Sequence, residues 1–439
     1  MKNRVWVSDL RAAVGKEVVV CGFVQRIRDM ADVQFLVVRD ATGAVQVVNE
    51  PKANPQLGAT VTGVTRESAV IVRGTVVENP VVKLGGIEIK LSDLTVVGPN
   101  HDQLPVDPFG SVADLDKRTD WRYLDLRHPK NLLIFKIQTL AEMAMREFWL
   151  KENFIEIHSP KLLSAPSESG AELFELKYFE TTAYLAQSPQ FYKQMAMAAG
   201  FEKVFEIGPV FRANPSFTSR HDTEFTSVDV EISWVESHED VMQFEERWLQ
   251  HTFQRIKEHY GDEIKKVYQT DFDVPTLPFP RIKHAEAAEL LRSKGQQGLV
   301  RPDGDLDPQG ERFLADYIKK QHGHEFVFII DYPITVRPFY HMRYPDAPTV
   351  TKSFDLVWRG LEITTGAQRE HRYDVLREQA IQKGLTPHGI QFYLDFFKHG
   401  CPPHGGFGFG LTRMLMMMLG LKNVREVTYL YRSPARLTP

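Results

Sequence analysis

One stretch of the sequence, residues 204–232, brings together side chains that could bind a polyanion. Between two apolar runs it carries cationic or ionisable side chains at three positions: Arg212, Arg220 and His221. Two acids, Asp229 and Glu231, follow two positions apart, so on a β-strand both would project from one face. A carboxylate inside an apolar strand needs a partner, because an unpaired buried charge is costly. A surface hairpin with solvated charges is the alternative, but the coincidence of loop cations and strand acids favours a binding site.

The element that must position these side chains is an antiparallel hairpin. The runs 204–211 and 225–232 show the alternating or nearly continuous apolar pattern of strands. The loop between them contains Asn214, Pro215 and Thr218, residue types that favour turns. We therefore predict two paired strands joined by a long loop.

Two later stretches could contribute to the same site. Asp355 and Glu362 lie in strand-like runs and are candidate ligands of Mg²⁺, which prefers carboxylate and phosphate oxygens. Taken singly, each is more often a salt-bridged acid. Glycine alternates along 405–410, which allows close approach of a ligand or of another strand, and Arg413 then opens an apolar helix. The fixed place of that arginine above a flat strand indicates a ligand contact.

Polar residues at two other positions could face the same cleft. The segment 187–190 leads from a strand into a helix that carries Lys193, so its side chains would point into the space that the sheet frames. The small-residue loop 165–170 contains Glu168 and is either a mobile lid or an ordinary connection.

Length and composition exclude several classes of protein. With 439 residues, of which 43% are hydrophobic, the chain has enough apolar material for two or three globular domains. The formal net charge is only −4, so any nucleic acid would have to be bound by local patches. Two cysteines without metal-type spacing indicate a reduced, cytoplasmic setting. No signal-peptide pattern occurs and no run approaches the roughly 20 apolar residues of a membrane span, so we expect no membrane association.

The N-terminal hundred residues are rich in predicted strands. Five candidates suit a small barrel such as the OB fold, a frequent binder of single-stranded nucleic acid: 18–27, 33–39, 44–48, 69–77 and 87–96. Phe35 and Gln46 could stack on and hydrogen-bond to an exposed base, although periodicity alone is equally consistent with Phe35 in the core. Residues 98–120 are rich in Pro, Gly and Asp, a composition typical of a linker or hinge.

The remaining chain is predicted to alternate helices and strands. A helix over 131–149, followed by a strand at 154–158 and Pro160, is either core or an oligomer interface. A long helix over 239–260 and a buried strand at 326–330 flank residues 262–325. We interpret 262–325 as a peripheral insertion and assign it no chemistry.

These stretches, in this order, resemble the three signature motifs of class II aminoacyl-tRNA synthetases. The motifs are FIEIHSP (154–160), FRANPSFTSRHDTEF (211–225) and GFGFGLTR (406–413). Three further segments resemble the aspartyl branch in its archaeal/eukaryotic-type form: QSPQFYKQ (187–194), SVDVE (227–231) and RGLEITTGAQREH (359–371). The resemblance covers nearly the whole chain, and the motifs are highly specific only in combination.

The resemblance implies an α+β protein with an N-terminal OB-fold barrel, followed by an antiparallel-sheet catalytic domain flanked by helices. It implies an anticodon-binding domain in 1–100, a hinge in 101–125 and a catalytic domain in 126–439, with the insertion around 262–325. It further implies that aspartate and MgATP form aspartyl-adenylate, that the aspartyl group passes to the terminal adenosine of tRNA(Asp), and that the chain forms a homodimer.

Residue roles follow by matching positions. For ATP, the resemblance implies that Arg212 binds the α-phosphate and that His221 and Arg413 bind the γ-phosphate. It implies that the Phe225 ring stacks on adenine and that Arg220 also belongs to the ATP-binding residues. Glu362 and Thr365, with Asp355 as a further candidate, match the magnesium site. The amino group of aspartate matches Glu168, Ser188 and Gln190. Its side-chain carboxylate matches Lys193 and Arg369, with Asp229 orienting Arg369. Anticodon-reading positions match Phe35, Gln46 and Glu88.

Three positions depart from the family pattern. Asn153 stands where the first motif usually has glycine, Asn214 where the second commonly has Glu, and Thr412 where the third usually has an acid. No phosphate-binding arginine is removed, so we expect activity, with an altered affinity for ATP.

The chemistry of the implied reaction agrees with these residue types. Attack of a carboxylate on an α-phosphate brings two anions together, so the site must supply positive charge and alignment more than a general base. Arg212, His221 and Arg413 would supply that charge together with Mg²⁺. We therefore expect Arg212, Arg413 and Arg369 to share one pocket.

Three alternatives remain open. An asparaginyl-tRNA synthetase shares the fold and the motifs, a silent paralogue could bind tRNA without catalysis, and a small amide-forming ligase shares the catalytic fold but lacks the barrel. A narrower question is whether tRNA(Asn) is charged too. Discriminating enzymes of this type often carry Trp where this chain has Gln25, which favours relaxed specificity and an amidotransferase partner.

Overall fold

A computed structural model describes residues 4–164, 173–215 and 218–438, which divide into two units, Met1–Leu132 and Leu133–Pro439. After a 3₁₀ helix (Val7–Ala13), the first unit contains β1 (Glu17–Asp29), β2 (Gln34–Arg39), β3 (Ala44–Asn49), α1 (Pro55–Gly63), β4 (Ala69–Glu78), β5 (Ile87–Gly98), α2 (Leu115–Asp120) and α3 (Arg122–Asp125).

The five strands close into a barrel in the order β1-β2-β3-β5-β4. β3 and β5 run parallel, and the other pairs are antiparallel. Alternate apolar residues fill the interior, for example Val20, Val47 and Ile89. Period-two alternation sends every second side chain inward, and this is why the sequence predicts these strands to within a few residues. The predicted five-stranded barrel is confirmed.

A helix that crosses the boundary between the two units, α4 (Pro129–Lys151), leads into the strands and helices of the second unit. These are β6 (Ile155–Glu156), β7 (Leu162–Leu163), β8 (Glu175–Tyr178), β9 (Thr181–Leu185), α5 (Gln190–Ala198), β10 (Lys203–Phe211), β11 (Glu224–Ser233), α6 (His238–Tyr268), β12 (Arg281–Lys283), α7 (His284–Ser293), α8 (Pro308–His322), β13 (Phe326–Ile330), β14 (Ser353–Trp358), β15 (Leu361–Arg369), α9 (Tyr373–Gln382), α10 (Gln391–Lys398), β16 (His404–Gly410), α11 (Leu411–Met418) and α12 (Val424–Val427).

An eight-stranded sheet organises the second unit in the order β12-β13-β14-β15-β16-β11-β10-β6. Its interior pairs are antiparallel, and β12 and β6 add parallel edges, so the sheet is mixed. β10 and β11 form the predicted hairpin, with Phe211 opposite Glu224 at the end that carries the connecting loop. β16 lies between β11 and β15, and this order places the three signature segments side by side.

One face of this sheet packs against helices. Phe407 and Phe409 of β16 contact Trp248 of α6, and Trp248 stacks on Trp149 of α4 at 5.1 Å between ring centroids. Val228 and Val230 of β11 belong to the same core, so the residues between and beside them face the opposite side. The alternation of glycine and phenylalanine in β16 thus separates a core face from a ligand face.

Two local features show how the sequence sets helix boundaries. Asn153, at the position where the family usually has glycine, adopts φ 63°, the left-handed region that asparagine tolerates better than most residues. α8 lies within the segment 262–325, which we interpreted as a peripheral insertion and to which we assigned no chemistry. Its signals were present, because Asp307 caps it, Pro308 starts it and Gly323 ends it. In the same segment, β12 joins the central sheet.

A buried acid on α6 makes stability depend on pH. Glu245 is completely buried, and burial raises the pKa of its carboxyl from the usual 4.5 to about 8. Between these values the folded state holds a proton that the unfolded chain has released, so the free energy of unfolding falls as pH rises.

Glu245→Gln removes this ionisation without changing shape. We expect the variant to match the wild type in unfolding free energy at pH 4 and to exceed it at pH 8, at up to about 1.4 kcal/mol per pH unit. Urea unfolding at both pH values measures this difference. Glu258→Gln, an exposed change on the same helix, is the control. An equal difference at pH 4 and pH 8 would contradict the prediction.

Candidate active site

A cavity of about 450 Å³ on the ligand face of the sheet gathers the predicted site residues. Those that line it are Ser188, Gln190, Lys193, Arg212, Arg220, His221, Phe225, Asp229, Glu362, Thr365, Arg369 and Arg413. Strand order explains the convergence, because Gly408 of β16 lies opposite both Asp229 and Thr365. Glu168 lies outside the described residues. The expectation that Arg212, Arg413 and Arg369 share one pocket is met.

One end of the cavity is cationic. Arg212 is exposed, with its guanidinium carbon 5.4 Å from the centroid of the Phe225 ring. Within the described part of the chain this guanidinium makes no hydrogen bond or ion pair, so it remains available to an anion. Arg413 enters from the start of α11 and donates through Nη1 to the backbone oxygen of Glu362 at 2.9 Å.

His221 at this end is a neutral hydrogen-bonding group. Burial, together with Arg413 and Arg220 close by, lowers its pKa to about 4. Its Nδ1 is hydrogen-bonded to the hydroxyl of Thr218. Without ligand, the imidazole can therefore bind an anion by donating a hydrogen bond, while the arginines carry the charge.

The C-terminal segment 424–432 is hydrogen-bonded to residues on both sides of His221. No sequence pattern indicated this contact. The backbone N–H of Val424 donates to Ser219, and that of Thr223 donates to Arg432. The hydroxyl of Thr428 donates to Asp222 Oδ2 at 3.1 Å. Burial raises the pKa of this carboxyl to about 7. The chain end thus fixes residues on both sides of His221.

The acids at the cationic end of the cavity suit a hard metal cation whose coordination shell is completed by oxygens of a bound ligand. Glu362 lies 3.4 Å from Arg413, and its Oε1 accepts from Thr365 Oγ1 at 3.1 Å. Burial would raise the pKa of Glu362, but Arg413 and Arg337 hold it below its usual value, so it stays ionised. Asp355 is not among the cavity-lining residues and pairs with Arg337 at 2.7 Å.

The donor set at this end suits Mg²⁺ bound together with phosphate. In the parts of the chain that are described, no group of three or more His, Cys, Asp or Glu side chains could hold a metal ion. Mg²⁺ commonly takes one or two carboxylates plus substrate phosphate oxygens. Glu362 and the Thr365 hydroxyl match that mode, and phosphate and water would supply the other ligands.

The other end of the cavity holds two buried cations with two buried acids. Lys193 Nζ lies 3.0 Å from Asp229 Oδ1 and 3.4 Å from Glu231 Oε2. Arg369 Nε donates to Glu231 Oε1 at 3.1 Å. The implied contact between Asp229 and Arg369 is therefore wrong, because Glu231 pairs with Arg369 and Asp229 pairs with Lys193. Burial alone would raise the pKa of Glu231, but Arg369 and Lys193 lower it.

Further contacts fix the Arg369 guanidinium. Nη2 donates to the backbone oxygen of Gly406 at 3.0 Å, and Nη1 donates to His341 Nε2 at 2.9 Å. Because arginine only donates, this imidazole nitrogen must accept. A Cβ at Gly406 would lie 2.0 Å from the Val230 oxygen, so only glycine fits there. Sequence reasoning missed His341 and Arg337, which lie in the irregular segment between β13 and β14 where no periodicity marks them.

On the barrel, the predicted base-reading residues lie on neighbouring strands. Gln46 of β3 is paired with Glu88 of β5, and its Nε2 donates to Glu88 Oε2 at 2.8 Å. Asn79 holds the other oxygen of Glu88. Phe35 of β2 alternates with the inward-facing Leu36 and is half-buried, which places it on the outer face. It lies opposite Arg28, a cation that sequence reasoning did not select.

Comparisons with known proteins agree with this architecture. Residues 114–433 match the class II tRNA synthetase family (D, K and N), and residues 18–97 match the OB-fold nucleic acid binding domain. Among curated relatives, the aspartate–tRNA(Asp) ligase of Pyrococcus abyssi is 45% identical, with 97% of each chain covered. The aspartate–tRNA(Asp/Asn) ligase of Aeropyrum pernix is 43% identical over the whole of both chains.

Solved structures show the same likeness. The asparaginyl-tRNA synthetase of Pyrococcus horikoshii with asparaginyl-adenylate has a TM-score of 0.89 and 33% identity, with all of both chains covered. The aspartyl-tRNA synthetase of Entamoeba histolytica has a TM-score of 0.87 and 32% identity, covering 99% of this chain and 93% of that one. Among the described helices, none is both long and apolar enough to cross a membrane. The barrel, the sheet and the shared cavity agree with these matches, and the chain belongs to the class II aminoacyl-tRNA synthetases of the D, K and N group.

Proposed function

We propose that the chain is an aspartate–tRNA ligase that activates L-aspartate with MgATP to aspartyl-adenylate and transfers the aspartyl group to tRNA(Asp). The observation that carries this proposal is the single cavity with a cationic phosphate end and a buried Lys193–Arg369 pair at its other end. The first end suits a triphosphate, and the second suits a small carboxylate.

In the first step an α-carboxylate oxygen of aspartate forms a bond to the α-phosphorus, and the bond from that phosphorus to the leaving pyrophosphate breaks. No proton needs to be removed from the attacking carboxylate. Arg212 would hold the α-phosphate, which gains charge in the transition state, and a planar guanidinium can do so through two parallel hydrogen bonds. Arg413, Arg220 and His221 would align the rest of the triphosphate.

Glu362 and Thr365 would hold Mg²⁺, with Asp355 close behind them. When bound, the ion would neutralise charge on the phosphate oxygens. At the adenine end, the Phe225 ring would stack on the base. Ser188 and Gln190, with Glu168, would bind the amino group of aspartate.

Selection of aspartate over asparagine would rest on Lys193 and Arg369. Both cations are buried and already balanced by Asp229 and Glu231, so the pocket is built around fixed charges. A substrate carboxylate would be attracted to both cations, whereas a neutral amide would gain little from them, and this difference would favour aspartate. An asparaginyl-tRNA synthetase is the second candidate, since the solved structures include that enzyme.

The decisive experiment is amino-acid-dependent exchange of pyrophosphate into ATP. Exchange with aspartate and none with asparagine is the expected result. Exchange with asparagine alone would overturn the assignment, and no exchange with either would indicate a silent paralogue.

The barrel would bind the anticodon of tRNA through Phe35, Gln46 and Glu88. The proposed domains are an anticodon-binding domain in 1–100, a hinge in 101–125 and a catalytic domain in 126–439 with the insertion around 262–325.

Phe35→Ala is expected to weaken tRNA binding by about 1–3 kcal/mol, because the base would lose the aromatic ring on which it stacks. Charging assays should show a raised KM for tRNA with unchanged adenylate formation. Val81→Ala, at an exposed site of the same unit, is the control, and equal loss in both steps would make Phe35 structural.

Charging of tRNA(Asn) in addition to tRNA(Asp) is the finer proposal. Gln25 sits at a register shift between β1 and β2, where Val24 and Arg26 pair with consecutive residues. A bulge there gives its side chain a direction that regular pairing would not. Purified tRNA(Asp) and tRNA(Asn) test the idea, and aspartylation of only the first would reject it. Misacylated product would require an amidotransferase partner.

A homodimer is proposed because large apolar side chains on and beside α4 are exposed. Met143, Leu150 and Ile155 have 62%, 64% and 45% of their surface exposed. Clustered exposed apolar groups commonly mark protein interfaces. Sedimentation of wild type and Leu150→Lys tests this, with a monomeric wild type as the contrary result. Cys21 and Cys401 form no disulfide bond, which supports the proposed cytoplasmic setting.

A further inference from the structure

At the phosphate end, cations and acids occur as matched pairs from different parts of the chain. The pairs are Arg413 with Glu362 at 3.4 Å, Arg337 with Asp355 at 2.7 Å and Arg220 with Glu311 at 3.9 Å. Glu311 differs from the other two acids in its origin. It lies in the segment 262–325, to which we assigned no chemistry from the sequence.

Glu311 lies on a packed helix and is mostly withdrawn from solvent. It lies in the first turn of α8, whose Leu314, Ala315 and Ile318 are buried in a separate apolar cluster. Its side chain is 14% exposed and that of Arg220 is 21% exposed, so water screens the pair only partly. Burial and the nearby Glu362 raise the pKa of Glu311 to about 8, and Arg220 counters part of that rise.

The Arg220 guanidinium needs such a partner. Arg220 lies in a loop, and a long side chain there has many rotamers, so its place at the cavity must be fixed by something outside the loop. Of the acids in the described segments, Glu311 is the one that lies within ion-pair distance of it, at 3.9 Å and without a hydrogen bond. A rigid helix therefore defines where this loop cation sits.

We propose that Glu311 is a positioning residue, which holds the Arg220 guanidinium at the phosphate end of the cavity so that it is in place when ATP binds. This inference rests on the proposed function. A simpler role is available to any acid in a helical first turn, where a carboxylate stabilises the helix through its dipole. The two roles differ in what they change: positioning alters the use of ATP, whereas helix stabilisation alters only folding.

The test compares Glu311→Ala, Arg220→Ala and the double variant in aspartate-dependent pyrophosphate exchange. Alanine removes the whole carboxyl group, so the variant is the same whatever the ionisation of Glu311 in the wild type. We expect Glu311→Ala to raise the KM for ATP about tenfold, as loss of a residue that orients a ligand-binding group does. The KM for aspartate should stay within about twofold, and the double variant should match Arg220→Ala, because Glu311 acts through Arg220.

Asp316→Ala, at an exposed position of the same helix, is the control and should leave the KM for ATP unchanged. If Glu311→Ala does not fold, Glu311→Met, which keeps most of the side-chain bulk and removes the carboxyl group, is measured with the same expected direction. An unchanged KM for ATP, or an effect that adds in full to that of Arg220→Ala, would overturn the inference. Absence of aspartate-dependent exchange in the wild type would instead overturn the proposed function, so the two failures are distinguishable.

Discussion

Replacing Arg369 with leucine is expected to abolish aspartate activation while leaving ATP binding nearly intact. The Arg369 guanidinium faces the cavity, is fixed by Glu231, His341 and the Gly406 oxygen, and would pair with the substrate's side-chain carboxylate. Loss of a buried charge-assisted contact, together with misplacement of the carboxylate, should lower the exchange rate by about 10³-fold or more. Exchange kinetics with varied aspartate, together with the binding of ATP alone, measure the two effects separately.

Arg369→Leu also leaves Glu231 with Lys193 as its remaining cationic partner, so folding must be checked. Removing one member of a buried pair costs about 3–5 kcal/mol of stability. Thermal unfolding with and without MgATP shows whether the variant is folded and still binds nucleotide. Arg372→Leu is the matched control, because Arg372 lies three residues away, is about half exposed and pairs with Glu370. An unchanged KM for aspartate in a folded Arg369→Leu protein would refute the carboxylate role.

Arg212→Ala is expected to reduce adenylate formation by about 10²- to 10³-fold, the usual loss when one donor to a charged transition state is removed. The effect should fall on kcat more than on the KM for ATP, because the α-phosphate gains charge only during attack. Arg212 is exposed and has no ion pair within the described residues, so the substitution leaves no buried charge behind. Single-turnover adenylate formation measures the loss directly.

Arg212→Lys and Arg247→Ala complete this experiment. Lysine keeps the charge but cannot form two parallel hydrogen bonds, so it should restore activity only in part. Arg247 is another exposed arginine near a phenylalanine ring, 5.9 Å from the Phe244 centroid, and its removal should have no effect on adenylate formation. A normal rate in Arg212→Ala would mean that other cations hold the α-phosphate.

Arg369→Leu and Arg212→Ala differ in how directly a change in activity can be attributed to the lost side chain. Arg369 belongs to a buried network, so its removal affects folding as well as binding. The informative quantity is therefore the change in the KM for aspartate relative to the change in ATP binding. Arg212 has no ion pair within the described residues, so the effect of its removal on the rate can be attributed to catalysis. Together they test the two ends of the same cavity.

Much of the fold was determined by the sequence alone. The strands of the barrel and the hairpin of β10 and β11 follow from apolar alternation, because a strand with one buried face must place every second side chain in the core. The cations of the phosphate end were found because cations in the hairpin loop coincide with acids on the strand that follows, and because Arg413 follows a strand with alternating glycines. Segments without such periodicity, such as the one that carries Arg337 and His341, gave no signal.

Only the tertiary structure decided which acid serves which cation. Asp229 and Glu231 project from the same face of β11, and their sequence spacing is equally compatible with either partner. The choice depends on β16, which lies between β11 and β15, and on α5, which brings Lys193 against Asp229. The pairing of Glu311 with Arg220 has the same origin, because ion pairs depend on distance in space and their partners here are 91 positions apart in the chain, 311 minus 220. Local patterning fixes the face on which a side chain lies, whereas packing of distant elements fixes what it meets there.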